Sequence, residues 1–423
     1  MGVVSELIRN VKIPEMIRVK QSFDDTALQD VPGKMDEQLH QEKIRSQIRP
    51  GMRIAIGAGS RGISNYSVII KKIVDFVKEM GAEPFIVPAM GSHGGACVEG
   101  QRQILYGYGI TPENMGCPVV CSMETKIIGR TADDRYPVQI DKNAAEADGI
   151  IICNRIKAHT AFRGPYESGL LKMLAIGLAK QKGAEFCHSR GFKYMAEMVE
   201  LFGRGIISNA NVLFGVAILE NAYDKTAELH ALTAPEIISE EPKLLARSKD
   251  YMPRILIEHA DLLIVDEIGK NISGDGMDPN IAGTFAVPYA SGGIDVQRVA
   301  VLDITEQSHG NTIGWGMADC STRRAFNKFD SEATYPNSLT CLVTQVSKIP
   351  MIFKNDKECI QGAIKTLADV DFNDVKVVHI KNTLAMAEIE VSANLRSLVE
   401  ATPNMEVLSE PAPMPFNEEG NLF

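Results

Sequence analysis

The sequence predicts an α/β protein of two domains with mostly parallel sheets, and three observations predict it. Short β-branched runs alternate with longer amphipathic segments, the pattern of strands joined by crossover helices. The alternation comes in two series, separated by a charged, proline-containing stretch from Glu240 to Pro253. With 423 residues, 45% of them hydrophobic and 23% charged, the chain has apolar material for more than one core. The boundary is expected near Tyr251, giving domains 1–250 and 251–423 with an active-site cleft between them.

In the first series, Met52 to Ile56 and Pro84 to Val87 read as strands on either side of a helix. Ser64 is its expected N-cap, Val68, Ile69, Ile73, Phe76 and Val77 its apolar face, and Gly81 its stop. Gly149 to Cys153 and Val212 to Ile218 read as further strands, with a helix from Glu167 to about Lys182 between them. The second series has apolar runs at Leu262 to Val265, Val299 to Ile304 and Val375 to Ile380, and a helix from Lys357 to Leu367. The tail from Glu410, rich in Pro, Asn and Glu, reads as loosely ordered.

A formal net charge of -10 and the lack of a long Lys/Arg run argue against nucleic acid as a partner. Any anionic ligand must be held by local positive groups. The eight cysteines form no CxxC pair and no dense framework, which fits a reducing compartment. The N-terminus lacks the uninterrupted apolar run of a signal peptide, and no stretch approaches the roughly 20 apolar residues of a membrane span. A cytoplasmic location away from membranes is expected.

Chemistry is expected beyond the C-terminal ends of the strands, where loops converge in open α/β sheets. Four segments lie there: Gly57 to Ser64 (GAGSRGIS), Pro88 to Gly95 (PAMGSHGG), Asn154 to Gly164 (NRIKAHTAFRG) and Tyr166 to His188 (YESGLLKMLAIGLAKQKGAEFCH). Glycines at 91, 94 and 95 let His93 approach a cleft closely, or simply turn it into water. His159 shares its loop with Arg155, Lys157 and Arg163, which would suit an anionic substrate or form a solvated basic loop. His188 follows the expected helix, as a functional group or as a helix-end histidine answering the dipole. Lys172 interrupts an apolar run, so either its stem snorkels or its amine is confined, with a lowered pKa and reactivity toward acyl or thioacyl groups.

In this order, GSHGG (His93), IKAHTAF (His159), ESGLLKM (Lys172) and EFCHSRG (His188) resemble the nickel-dependent lactate racemase family and its wider group of nickel-pincer isomerases. Asp266 to Asn280 and His309 to Phe326 resemble segments of a non-lactate branch. The resemblance implies that Lys172 forms the thioamide link to a pyridinium-3-thioamide-5-thiocarboxylic acid mononucleotide. His188 would complete nickel's coordination beside the pincer's sulfur, carbon and sulfur donors, a set that Ni(II) accepts well. His93 and His159 would be the acid/base pair. The implied reaction inverts C2 of a 2-hydroxy acid: one histidine takes the hydroxyl proton, the cofactor takes hydride, and return to the opposite face of the 2-keto acid completes it. The implied partners are a small 2-hydroxy carboxylate and the cofactor-synthesis enzymes; the sequence leaves the oligomeric state open.

The substrate carboxylate needs a cation, and Arg61 is the first choice, with Lys270 next. The alternatives are a surface arginine and a solvated lysine. Lactate racemases carry an Asp-x-Thr-Arg-x-x-Pro-like segment in the region of Gly57 to Ser64, and here both the acid and the proline are missing. That departure points away from lactate. Asn271, Ser273, Asp275, Asp278 and Asn280 would bond the hydroxyls of a sugar acid, or build a tight turn around Gly274 and Gly276. His309, Trp315, Thr322, Arg323 and Arg324 are expected to line the cleft from the second domain, Trp315 having core packing as its alternative. Two other readings stay open: a metal-dependent hydrolase or lyase built on His93, His159 and His188, and an organic-anion-binding protein.

Overall fold

The structure is a computed structural model that describes residues 2–423. It divides into two compact α/β units, one formed by Asp24–Met252 and the other by the residues up to Phe23 together with Pro253–Phe423. The expected boundary near Tyr251 thus falls between Met252 and Pro253, while the first 23 residues fold with the C-terminal unit.

The central unit is built on a five-stranded sheet in the order Glu83–Pro88, Arg53–Ala58, Gly149–Arg155, Val212–Glu220, Thr226–Thr233. The first four strands are parallel and the last returns antiparallel. Register brings Ala58 beside both Pro88 and Cys153, and the third strand runs on only to Arg155, so three successive strands release their loops at one edge. The strand cores, such as Ile54, Ile56, Ile86, Ile151 and Ile152, are fully enclosed, as parallel strands covered on both faces must be.

The helix Tyr66–Glu79 covers one face with Ile69, Ile70, Ile73, Val74, Phe76 and Val77. Each such side chain contributes roughly 1.5–3 kcal/mol when fully buried. Val68, expected on that face, is 37% exposed, and Ile70 takes the inward position. The cap also shifts by one residue, from Ser64 to Asn65 in a left-handed conformation, while the Ser64 N–H meets the Glu220 carboxylate.

The stretch Glu240 to Pro253 is not a linker for most of its length. A capping box of Thr233 and Glu236 starts a helix over Ala234–Tyr251 that runs through Pro242. Proline removes the N–H that would bond the carbonyl four residues earlier. That carbonyl, on Ile238, accepts instead from the Tyr166 hydroxyl at 2.7 Å, so the interruption is repaired by a side chain.

The other unit holds an eight-stranded sheet in the order Met351–Phe353, Cys320–Thr322, Asp295–Ile304, His259–Ile268, Val377–Ile380, Glu388–Ser392, Met16–Gln21, Met405–Val407. The first five are parallel and the last three add antiparallel. The helix Asp356–Lys365 packs Cys359, Ile360, Ala363 and Ile364 onto it. The tail expected to be loose is tied down. Lys357 N–H bonds the Gly420 carbonyl at 2.9 Å, Leu422 N–H bonds Asp356 at 2.8 Å, and Met414 is buried.

Candidate active site

The strand ends of the central unit carry the residues singled out from sequence. The Tyr66 hydroxyl accepts from Gly59 N–H at 2.6 Å and donates to the Cys153 carbonyl at 3.3 Å, joining two of the loops. A side chain at Gly59 would meet Met173 Cε at 2.5 Å, so any substitution there has to displace the end of the methionine. Just beyond it, the Ser60 hydroxyl bonds Nδ1 of His93, whose ring is exposed. The His93 turn starts with Gly91 at φ +58° and closes with His93 N–H on the Met90 carbonyl at 3.0 Å.

His159 is held from behind by Glu167, which is fully buried. One Glu167 oxygen accepts the His159 N–H at 2.7 Å and the other meets Lys249 at 2.7 Å. The imidazole Nδ1 accepts from the Ala161 N–H at 3.0 Å, so in the neutral ring the proton sits on Nε2. Lys157 and Ser168 exchange backbone hydrogen bonds of 2.9 and 3.1 Å, clipping this loop to the segment that leads to Lys172.

That segment departs from the single helix expected over Glu167 to Lys182. A short turn over Leu170–Lys172 opens into a π-helical stretch at Met173–Leu178, and a second helix, Lys180–His188, follows. The Gly177 carbonyl accepts from Gly91 N–H at 3.0 Å, and a Cβ at Gly177 would lie 2.5 Å from the Ala89 carbonyl. Close approach of the His93 loop therefore demands glycine here. Wide turns of this kind are uncommon and recur at functional sites.

The turn Leu170–Lys172 is anchored by Glu241, which is fully buried and accepts from Leu171 N–H at 2.9 Å. Burial pushes the Glu241 carboxyl up to about 8 against the pull of these backbone donors. Its other oxygen has no hydrogen-bond partner among the described residues and would lie 2.0 Å from a Cβ at Gly169. The glycine of the SG-x-x-K segment is thus required by Glu241.

Lys172, His159 and His188 converge on two phenylalanines. The Lys172 ammonium is 5.9 Å from the Phe162 ring centroid, and His159 stacks on Phe162 at 4.3 Å. Phe192 lies 6.2 Å from His159 and 5.8 Å, edge on, from His188. His188 donates from Nδ1 to the Ala184 carbonyl at 2.7 Å, which leaves the Nε2 lone pair available to a metal. Both histidines hold protons weakly. Burial is the main cause for each; the charges of Lys172, His188, Arg163 and Arg61 add to it at His159, and that of Lys172 at His188. Arg61, exposed, is therefore within electrostatic reach of His159. Among the described residues no three His, Cys, Asp or Glu side chains form a metal-binding group, so His93, His159 and His188 do not assemble as the hydrolase reading requires.

In the other unit the expected lining residues are largely occupied in holding the fold. Trp315 is fully buried in the core, its indole N–H on Ser321 Oγ at 2.8 Å, and this placement corrects its assignment to substrate. The only tryptophan of the chain is the largest side chain that core encloses. Lys270 donates to the Gly274 carbonyl at 2.7 Å within its own turn. Asn271 accepts from Thr305, and Asp278 caps the turn Pro279–Ala282, so these polar groups build the loop around Gly276, at φ +75°. Thr322 caps the helix Arg323–Asn327, Arg323 lies over Phe326, and Arg324 pairs with Asp303 and Asp356. His309 is exposed in a left-handed turn.

Sequence reasoning missed Ser60, Phe162, Phe192, Glu167 and Glu241. Phe162 stood inside the IKAHTAF segment. Glu241 carried a signal too, as a charge on the inward side of an amphipathic helix, whereas Ser60 and Phe192 become visible only once the loops are placed.

Comparison with known proteins agrees with this architecture. Residues 56–245 match a family described as a domain of unknown function, DUF362. No curated protein matches. Among solved structures the chain is similar to the lactate racemase apoprotein from Thermoanaerobacterium thermosaccharolyticum, with 13% identity and a TM-score of 0.55, over 88% of this chain and 99% of that one. The fold is lactate racemase-like, and no helix of the described residues is long and apolar enough to cross a membrane.

Proposed function

We propose that the protein is an isomerase that racemises or epimerises C2 of a 2-hydroxy acid with a nickel-pincer nucleotide. The observation that carries this reading is the convergence of Lys172, His159 and His188 on Phe162 and Phe192, with His188 fixed in the tautomer that frees Nε2. The residues present fit the group. Lys172 offers an amine beside an aromatic wall for a covalent link, and His188 offers an imidazole nitrogen already oriented by a backbone carbonyl. When bound, the cofactor supplies a reversible acceptor for the C2 hydrogen.

The chain's own residues handle the proton and the carboxylate. His93, joined through Nδ1 to the Ser60 hydroxyl, is the group that takes the hydroxyl proton. His159 begins as a donor at Nε2, held there by Ala161, and polarises the substrate oxygen. To serve as base in the opposite direction its ring must first release the Ala161 N–H. Arg61 supplies the cation for the carboxylate, and the positive surroundings of His159 favour an anion. The missing acid and proline after Gly57 support a substrate other than lactate, a sugar acid among the candidates.

The deciding experiment is intact-protein and peptide mass spectrometry with metal analysis, on protein made together with the cofactor-synthesis enzymes. An added mass on the Lys172 peptide, with nickel, is expected. An unmodified Lys172 in that preparation overturns the proposal and favours organic-anion binding.

A further inference from the structure

Beneath the His93 turn lies a buried polar cluster that the chemistry above does not use. Lys180 and Asp141 are both fully enclosed, with Nζ 3.0 Å from Asp141 Oδ2. Lys180 also donates to the Pro88 carbonyl at 2.6 Å and reaches Gln101 Oε1 at 3.4 Å. Gln101, equally buried, donates from Nε2 to the carbonyls of Gly91 at 3.0 Å and His93 at 3.2 Å. Two side chains that touch each other thus hold three carbonyls of one turn, at residues 88, 91 and 93. A burial-enclosed ammonium is costly unless well paired, so an ion pair here needs a reason beyond stability.

Its position supplies one. Lys180 takes φ +56°, unusual for a residue with a Cβ, at the junction between the π-helical stretch after Lys172 and the helix that ends at His188. Asp141 is itself fixed, its Oδ1 accepting from the N–H groups of Asn143 and Ala144 at 2.8 and 3.1 Å. The cluster therefore ties the His93 turn to the backbone that carries both Lys172 and His188. The direct bond from Gly91 N–H to the Gly177 carbonyl runs alongside.

We infer that Lys180 and Gln101 are positioning residues that set the His93 imidazole relative to the Lys172–His188 segment. The structural part stands alone, while the consequence for turnover rests on the isomerase reading. In Gln101→Leu, two loop carbonyls lose their donor and the turn is left to the Gly91–Gly177 bond and Lys180.

The test begins on cofactor-free protein, with histidine labelled at Cε1 and the His93 resonance assigned by its loss in His93→Gln. Gln101→Leu is expected to shift or split the His93 resonance and change its titration, leaving those of His188, His259 and His379 in place. On loaded enzyme the same variant should lower kcat about a hundredfold with KM nearly unchanged, the scale of loss that follows a displacement of about 1 Å. Because Lys180→Met alone strands the Asp141 charge, Lys180→Met is paired with Asp141→Asn, and this double variant should reproduce the His93 change. Unaltered His93 spectra in both folded variants, with only a lowered melting temperature, would overturn the inference. The isomerase reading fails separately, by an unmodified Lys172.

Discussion

The Nδ1–H of His188 donates to the Ala184 carbonyl one helical turn earlier, at 2.7 Å, whereas Nδ1 of His159 accepts from the Ala161 N–H at 3.0 Å. The two rings flank the same phenylalanine, Phe192, in opposite tautomers. Nitrogen-15 spectra of the cofactor-free protein above neutral pH should show His188 protonated at Nδ1 and His159 at Nε2. His188→Ala should keep the fold yet lose bound nickel, read by metal analysis after gel filtration. The same tautomer at both rings would remove the basis for their different roles.

Arg61 should tune His159. Positive charge nearby disfavours the imidazolium, so Arg61→Gln is expected to raise the His159 pKa toward the ordinary histidine range. The change is measured by NMR titration and, on loaded enzyme, as a shift of the acid limb of the pH profile to higher pH. An unmoved titration in the variant would remove Arg61 from the site.

Glu241 makes the stability of its unit pH-dependent. Its folded pKa of about 8 lies above the unfolded value near 4.5, so the native state holds the extra proton between them. Stability is full below about 4.5 and declines until the pH passes 8, a loss on the order of 5 kcal/mol. Glu241→Gln should flatten that dependence in denaturant melts at several pH values while still accepting from Leu171. Gly169→Ala, which drives a methyl against the same carboxyl, should cost about 1–3 kcal/mol.

His379 does the same in the other unit. It lies between Asp266 at 2.6 Å and Glu390 at 2.8 Å, and these carboxylates raise its pKa to about 9 despite the opposing effect of burial. The pair interactions contribute fully below pH 6.5 and are lost as pH rises through 9, a change on the order of 3 kcal/mol. His379→Gln should abolish that decline in melts between pH 6 and 10. A slope that survives the substitution would assign it to other groups.

The four parallel strands of the central sheet were readable from sequence as apolar runs ended by glycine or a polar loop, and Ile54, Ile86 and Ile151 sit where the pattern puts them, whereas Met16–Gln21, Thr226–Thr233 and Glu388–Ser392 were not singled out because charged and polar residues break up their apolar runs. Lys172 stood out because it interrupts an apolar run, whereas each histidine was a weak signal alone and was singled out by the order of the motifs that resemble the lactate racemase family. The π-helical stretch was not, since its apolar residues are as compatible with an ordinary helix and only the Gly91–Gly177 contact distinguishes the two. Trp315 misled for a related reason: a lone large aromatic looks the same in a core as beside a ligand. Pro242 suggested a break because the hydroxyl that compensates for it comes from Tyr166, far away in sequence.

The strand Met16–Gln21 lies between Glu388–Ser392 and Met405–Val407 in the sheet. On the ribosome this strand emerges long before either partner and must wait, unpaired, until synthesis has passed Glu388. The unit Asp24–Met252 is contiguous and meets no such delay, so synthesis delivers the candidate site's scaffold while the other unit is still two separated pieces. A waiting edge strand is an invitation to wrong pairing, and Arg18 and Lys20, pointing outward from it, supply the charge that discourages neighbours in the meantime.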